Sequence, residues 1–385
     1  KEFPKDERAA KACVNAVIEA RIAGELSVAQ TAADLALNQH KGTAEAPLAA
    51  WSIAEALRGA GLLADAASYD ERLVREYPKD AHARDAAFNA VVSRAALGDY
   101  DLAVRDANLY LSTYGAANAD DADEVTFLLG QAHEKAKKYA EAQKLYISYA
   151  ARAKNLDHKV EAIVRLAEVR LAVKDFAGAD SALKDAVKLG HDKAKVLKEG
   201  KVHAAHARYL QGERLVTQYD AITLDVTGPE LKKRLEKKKN LLKEAGTTFA
   251  DCAKMGSAEW TTAALYRIGY IFEGFATALA KVQPPKDTPP EQVEAFHNEV
   301  DPIATLFTEK AINAYDTGWK KAIELKIFNH WTADMRAALS RLNDVEYPPI
   351  REVGLEVRSV GAAPMPDVVD APVGVATAKP PAPKK

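Results

Sequence analysis

The chain has 385 residues, of which 28% are charged, 48% hydrophobic and only 7% aromatic, and its formal net charge is −2. That balance excludes a generally basic surface of the kind that coats nucleic acid or anionic membranes, and no run of about 18 apolar residues is present to cross a bilayer. Its two cysteines, Cys13 and Cys252, are far apart and have no partners at ligand spacing, which excludes a disulfide scaffold and a cysteine-based zinc site.

From the N-terminus a short pattern recurs: a turn residue, any residue, a large apolar residue, two residues, then alanine. It reads Gly24, Leu26, Ala29; Gly61, Leu63, Ala66; Gly98, Tyr100, Ala103; Lys137, Tyr139, Ala142; Lys174, Phe176, Ala179. The alanines are 37, 37, 39 and 37 residues apart. Small or apolar pairs precede each alanine at a fixed offset (Ala16-Val17, Ile53-Ala54, Ala90-Val91, Leu129-Gly130, Leu166-Ala167), and further pairs follow it, such as Ala36-Leu37 and Leu73-Val74. Apolar residues at helical spacing on both sides of a turn predict a helix, a tight turn and a second helix per unit. Gly supplies the positive φ of the turn without steric cost. Alanine lets the two helices cross closely, and Pro78 stops the second helix of its unit.

The second half is less regular. Residues 200–221 form a helical pattern, Thr227-Gly228-Pro229 starts the next helix, and a further one begins near Ser257. After a loop with four prolines between Gln283 and Pro290, a helix from about Glu291 to Ile327 is too long for one unit and is expected to break near Asp301-Pro302. Trp331 to Leu342 makes a last helix that caps the array. Residues 347–385, with weakly strand-like Glu352 to Val360 and then Ala, Pro, Val and Lys, are expected to be extended or disordered.

These units resemble the tetratricopeptide repeat, whose helix pair carries a Gly/Ala–aromatic–x-x–Ala turn and a late Pro; the second unit reads Ile53-Ala54, Leu57, Gly61, Leu63, Ala66, Leu73, Pro78. The resemblance covers residues 9–188 well and is looser beyond, and the units exceed the family's usual repeat of about 34 residues. It implies an all-α, right-handed α-solenoid: five helix pairs over residues 1–190, two stretched pairs and a capping helix over 191–346, and the tail. It also implies a concave groove lined by the first helix of each pair. Carried over position by position, that groove contains Lys11, Val14, Asn15 and Ile18; Trp51, Ser52 and Glu55; Asp85, Phe88, Asn89 and Val92; Glu124, Phe127 and Gln131; and Glu161, Arg165 and Glu168. Glu55, Glu161 and Glu168 oppose a carboxylate-terminated partner. Trp51, Phe88 and Phe127 share one register and either accept a peptide or helix or fill the contact between repeats.

No phosphate loop, nucleophile elbow or zinc-protease motif is present, so the chain is read as a non-enzymatic protein scaffold with no cofactor and no metal. His203 and His206 lie on one helix face but are taken as surface histidines, and the cysteines as small buried hydrophobes. The acidic turn Asp120-Asp121-Asp123-Glu124 lacks the pattern of a calcium loop and is read as opposing a helix dipole. The basic run Lys232–Arg234 and Lys237–Lys239 is read as a solvated helix face. The stretch from Glu309 to Pro348 is similar to long tetratricopeptide proteins of deltaproteobacteria, some of which serve envelope and gliding-motility complexes. That resemblance implies a periplasmic or envelope-associated setting. A cytoplasmic regulatory partner module and a glycan-contacting envelope protein are the alternatives. Because the chain begins at Lys1 rather than Met, as a trimmed or mature protein does, a missing leader says nothing for the cytoplasm.

Overall fold

The structure, a computed structural model, describes residues 8–116, 119–285 and 287–350. The expected tail from residue 351 onward, including the strand-like stretch, lies outside the described residues. The described residues contain fifteen α-helices and no strand. Ten form five pairs: α1 (Ala9–Ile22) with α2 (Leu26–Gln39), α3 (Glu45–Gly59) with α4 (Leu63–Glu76), α5 (Ala83–Leu97) with α6 (Tyr100–Thr113), α7 (Ala119–Lys135) with α8 (Tyr139–Arg152), and α9 (Leu156–Ala172) with α10 (Phe176–Asp192). Two longer pairs follow, α11 (Gly200–Asp220) with α12 (Gly228–Cys252) and α13 (Ala258–Ala280) with α14 (Pro290–Leu325), and then α15 (His330–Leu342).

Each short turn is closed by the same device. The turn residues Gly24, Gly61 and Gly98 have φ between 77° and 79°. Lys137 and Lys174, at φ 59° and 63°, take the same left-handed conformation in the fourth and fifth pairs. The amide after each reaches back five positions along the chain to an orphan carbonyl of the first helix: Glu25 N to Ala20 O at 2.8 Å, Leu62 N to Leu57 O at 2.9 Å, Asp99 N to Arg94 O at 3.0 Å, Lys138 N to His133 O at 2.8 Å and Asp175 N to Arg170 O at 2.8 Å. This is the hydrogen bond of a Schellman C-cap. All five pattern alanines, Ala29, Ala66, Ala103, Ala142 and Ala179, are 0% exposed. The helices therefore cross over them, as the spacing predicts.

Odd-numbered helices also touch one another, α1 with α3, α5 with α7, α9 with α11, α11 with α13 and α13 with α15, whereas the main contacts of even-numbered helices are with their sequence neighbours. The odd helices thus form an inner layer, joined without interruption from α9 to α15, and the even helices an outer one.

Three expectations need correction. First, α14 runs unbroken for 36 residues through Pro302. Phe296, Val300, Ala304 and Phe307 on its two sides pack into the same core as α13, with Phe307 and Phe275 rings 4.6 Å apart. That burial outweighs the one amide a proline removes. Secondly, the basic run is not wholly solvated. Lys238 is 5% exposed, and its ammonium donates to Tyr219 O at 2.8 Å and Ile222 O at 3.0 Å above the Tyr219 ring. It caps the C-terminus of α11, where the helix dipole and unpaired carbonyls favour a cation. Thirdly, His203 and His206 are not ordinary surface histidines but both stand half-buried among charged groups, as described below. Both cysteines are buried, as expected; burial pushes the Cys252 thiol up to about 12, and it donates to Ala205 O at 3.3 Å.

Candidate partner-binding groove

The inner layer brings some of the expected groove residues together and separates others. Asn15 and Glu55 are exposed, and Glu55 stands 3.8 Å from Arg21. Asn89 is half-buried. Val14 and Ser52 are buried, because their side of the helix faces the neighbouring helices rather than solvent. Trp51 stacks on His82 with ring centroids 4.9 Å apart, and Phe88 meets Tyr110 edge-on at 6.4 Å. Phe127 is 4% exposed, enclosed by Tyr146, Tyr149 and a stacked His158. These three aromatics therefore fill contacts between helices, and Phe127 offers no open face to a partner.

The polar residues further along do meet. Gln131 of α7 donates to Glu161 of α9 at 3.4 Å, and Arg165 donates to Glu161 at 2.8 Å and to Glu134 of α7 at 3.4 Å. Tyr146 donates to the same Glu134 oxygen at 2.5 Å. From α11, His203 stands 3.5 Å from Glu161 and His206 3.8 Å from Glu168. His206 then stacks on Trp260 of α13 at 4.0 Å, and Tyr209 joins Trp260 to Trp331 of α15. Arg267 of α13 closes the row with hydrogen bonds to Glu213 at 2.5 Å and Tyr209 at 3.4 Å.

Burial sets the protonation of this ladder. It pushes His206 down to about 4, assisted by the positive potential of His203 and Arg165, and it lowers His203 as well. Glu168 is raised, first by burial and then by Glu134. At neutral pH the two imidazoles are therefore neutral, and their contacts with Glu161 and Glu168 are polar contacts rather than ion pairs. The described residues hold no group of three His, Cys, Asp or Glu side chains arranged to bind a metal. Sequence spacing found Gln131, Arg165 and Glu168. It missed Glu134, Glu213, Trp260, Arg267 and Trp331, which follow from the same inner-helix register once α11, α13 and α15 are recognised as first helices.

The turn geometry repeated five times over buried alanines decides the architecture. The array is of the tetratricopeptide type. No family model matches the chain, and no curated protein matches it. Among solved structures this tetratricopeptide-type array is similar to MamA from Desulfovibrio magneticus RS-1 (14% identity, TM-score 0.35, covering 48% of this chain and 97% of that one). It is also similar to a TPR repeats protein from Bacteroides fragilis (14% identity, TM-score 0.36, covering 67% and 97%) and to the C-terminal part of a TPR repeat-containing protein from Cytophaga hutchinsonii (11% identity, TM-score 0.39, covering 77% and 96%). At such TM-scores these likenesses assign no role to any residue, and the fold rests on the helix pairs themselves.

Proposed function

We propose that the chain is a non-enzymatic protein-interaction scaffold that holds a polypeptide partner along its inner layer, in a complex of the bacterial cell envelope. The observation that carries the scaffold reading is the ladder from Gln131 to Trp331. It is a preformed row of half-buried polar and aromatic side chains contributed by five successive inner helices. Side chains already locked by one another lose little freedom when a partner docks, and mixed aromatic and charged groups are the chemistry of interface anchors. The envelope setting rests on the sequence likeness around Glu309 to Pro348, and fractionation of the protein expressed from its natural reading frame tests it separately.

A photo-crosslinking amino acid placed at Glu168, on the ladder, and at Glu141, exposed on the outer helix α8, tests the groove in the source cell. The expected result is an adduct with another polypeptide from position 168 and none from 141. Equal adducts from both positions, or none from either, reject the groove.

A further inference from the structure

A cavity of about 610 Å3 opens beside the C-terminal parts of α11, α13 and α15, outside the ladder. Its size is that of a site for a small ligand or a short peptide segment. One wall is the connection after α11, Ile222 to Asp225; the other is the α13 face carrying Tyr266, Tyr270 and Glu273.

Both walls are fixed in advance. Lys238 holds the carbonyls of Tyr219 and Ile222, and Arg234 donates to Thr223 O at 3.3 Å and to its hydroxyl at 3.1 Å. Tyr219 donates to Ile271 O at 3.0 Å, tying the connection to α13. On the far side Arg341 of α15 pairs with Glu273, which also accepts from Tyr315 at 2.9 Å. The basic run that sequence alone leaves unused is thus the scaffolding of this wall. Tyr266 lies 6.5 Å from Tyr270 and 5.8 Å from Tyr315, ring centre to ring centre. Tyrosine faces with hydroxyls at their edges are the surface on which proline-rich segments dock, because proline rings pack on the aromatic faces and the carbonyls accept from the hydroxyls.

We propose that this cavity receives the chain's own residues 379–385, Lys-Pro-Pro-Ala-Pro-Lys-Lys. Three observations converge on that occupant. The segment is the densest proline cluster of the chain and has the P-x-x-P spacing that fits such a surface. Asp225 on the wall, paired with Arg234 at 3.4 Å through one oxygen, and exposed Asp220, which accepts from the Tyr270 hydroxyl at 3.2 Å, each keep a carboxylate oxygen for the flanking lysines. The chain also leaves α15 close by: Arg336 donates to Tyr347 O at 3.1 Å and Pro348 O at 2.6 Å, and α15 is the helix that supplies Arg341. The chain from Ile350 to Pro380 is long enough to reach the cavity, since a random coil of that many residues averages about 30 Å end to end.

The test uses the full chain with Thr277, on the cavity wall, replaced by the photo-crosslinking p-benzoylphenylalanine, and maps the adducts by mass spectrometry. The expected product is an internal crosslink at monomer mass joining position 277 to residues 379–385. Replacing Pro380, Pro381 and Pro383 by alanine is expected to lower its yield roughly tenfold, as loss of about 1.4 kcal/mol of docking would. Adducts confined to residues 221–227, or a yield indifferent to the proline replacements, overturn the proposal. An adduct of dimer mass overturns it in favour of a second copy. Lys384→Glu with Lys385→Glu in the same background reads the charge contribution, and an unchanged yield there removes the aspartate rim from the argument and overturns the register proposed.

Discussion

The first five helix pairs and the two that follow close their helix crossings differently. In the first region the helices, of 14 to 17 residues, cross over fully buried alanines, except that at α7–α8 the Tyr146 ring also packs on Gly130. In the second, helices of 21 to 36 residues meet through glycine facing a large side chain. A Cβ on Gly212 would stand 2.4 Å from the Phe249 ring, one on Gly269 2.4 Å from Tyr315, and one on Gly318 2.3 Å from Met335. Both solutions bring helices close, but they distribute the burial differently. Alanine crossings spread it over many small contacts that repeat, whereas ring-into-glycine crossings concentrate it in Phe249, Tyr315 and Met335, all 0% or 1% exposed. The repetitive region is therefore modular, and the second region depends on a few large side chains.

The largest test of that difference is Phe249→Ala, which removes a fully buried ring and is expected to cost about 3–5 kcal/mol. Trp260, Trp319 and Trp331 all lie in the second region and only Trp51 in the first. Tryptophan fluorescence should then lose its transition at a lower temperature than the bulk of the helical circular-dichroism signal, because stability in a helical array is close to a sum over neighbours. Coincident transitions in the variant would show one cooperative unit and end the comparison.

A smaller effect distinguishes the junction of the two regions. His206 titrates near 4 in the folded chain and near 6.5 when unfolded. Between those values the unfolded chain binds more protons, so stability falls as pH drops from 6.5 towards 4. The loss is expected to be about 2 kcal/mol, below the full linkage value because the side chain retains some solvent contact. His206→Phe keeps the stack on Trp260 and should flatten that slope in denaturant titrations at pH 7 and 4.5. His203, shifted the same way, and Glu168, shifted oppositely, remain in both proteins, so the difference reads His206 together with its electrostatic interaction with His203. Equal slopes in the two proteins would contradict a buried neutral imidazole.

The smallest effect lies within the regular region. Lys137 and Lys174 occupy left-handed turns at which three other pairs place glycine. Lys137→Gly and Lys174→Gly are each expected to stabilise by about 0.5–1 kcal/mol, since relief of the Cβ clash exceeds the added freedom of the unfolded chain. A fall in melting temperature would mean that the lysine side chains contribute more than their backbone strain costs; Lys138 beside the first of them bonds to Asp101 at 2.7 Å.

The period of the first region was legible because each unit repeats a local rule. A turn residue with positive φ, a large residue and a buried alanine leave the same mark at the same spacing. The second region lacks such a mark. The burial that carries α14 through Pro302 comes from α13, some thirty or more residues earlier, and outweighs a sound local rule about proline. Lys238 reads as one charge among six until the carbonyls of Tyr219 and Ile222 are placed above it. The row of interacting inner-helix side chains was legible in part. Register located Gln131, Arg165 and Glu168, but register cannot tell a ring turned to solvent from one turned to the next helix, which is why Phe127 was an open choice.

The unequal packing of the two layers has a mechanical consequence. Inner helices pack backbone to backbone at several junctions, whereas outer helices meet through side-chain bridges such as Tyr69 to Asp34 and Arg105 to Glu71, so the array has a stiffer spine and a more compliant rim. Between α4 and α6, over Ala87 and Ala90, a gap of about 400 Å3 is spanned by the Arg105–Glu71 ion pair at 3.0 Å, an exposed link that yields more readily than packed helices. Bending strains those side-chain bridges before the helix contacts of the spine, so curvature is the soft coordinate and length the hard one. Such an element carries load along its axis while its curvature adjusts.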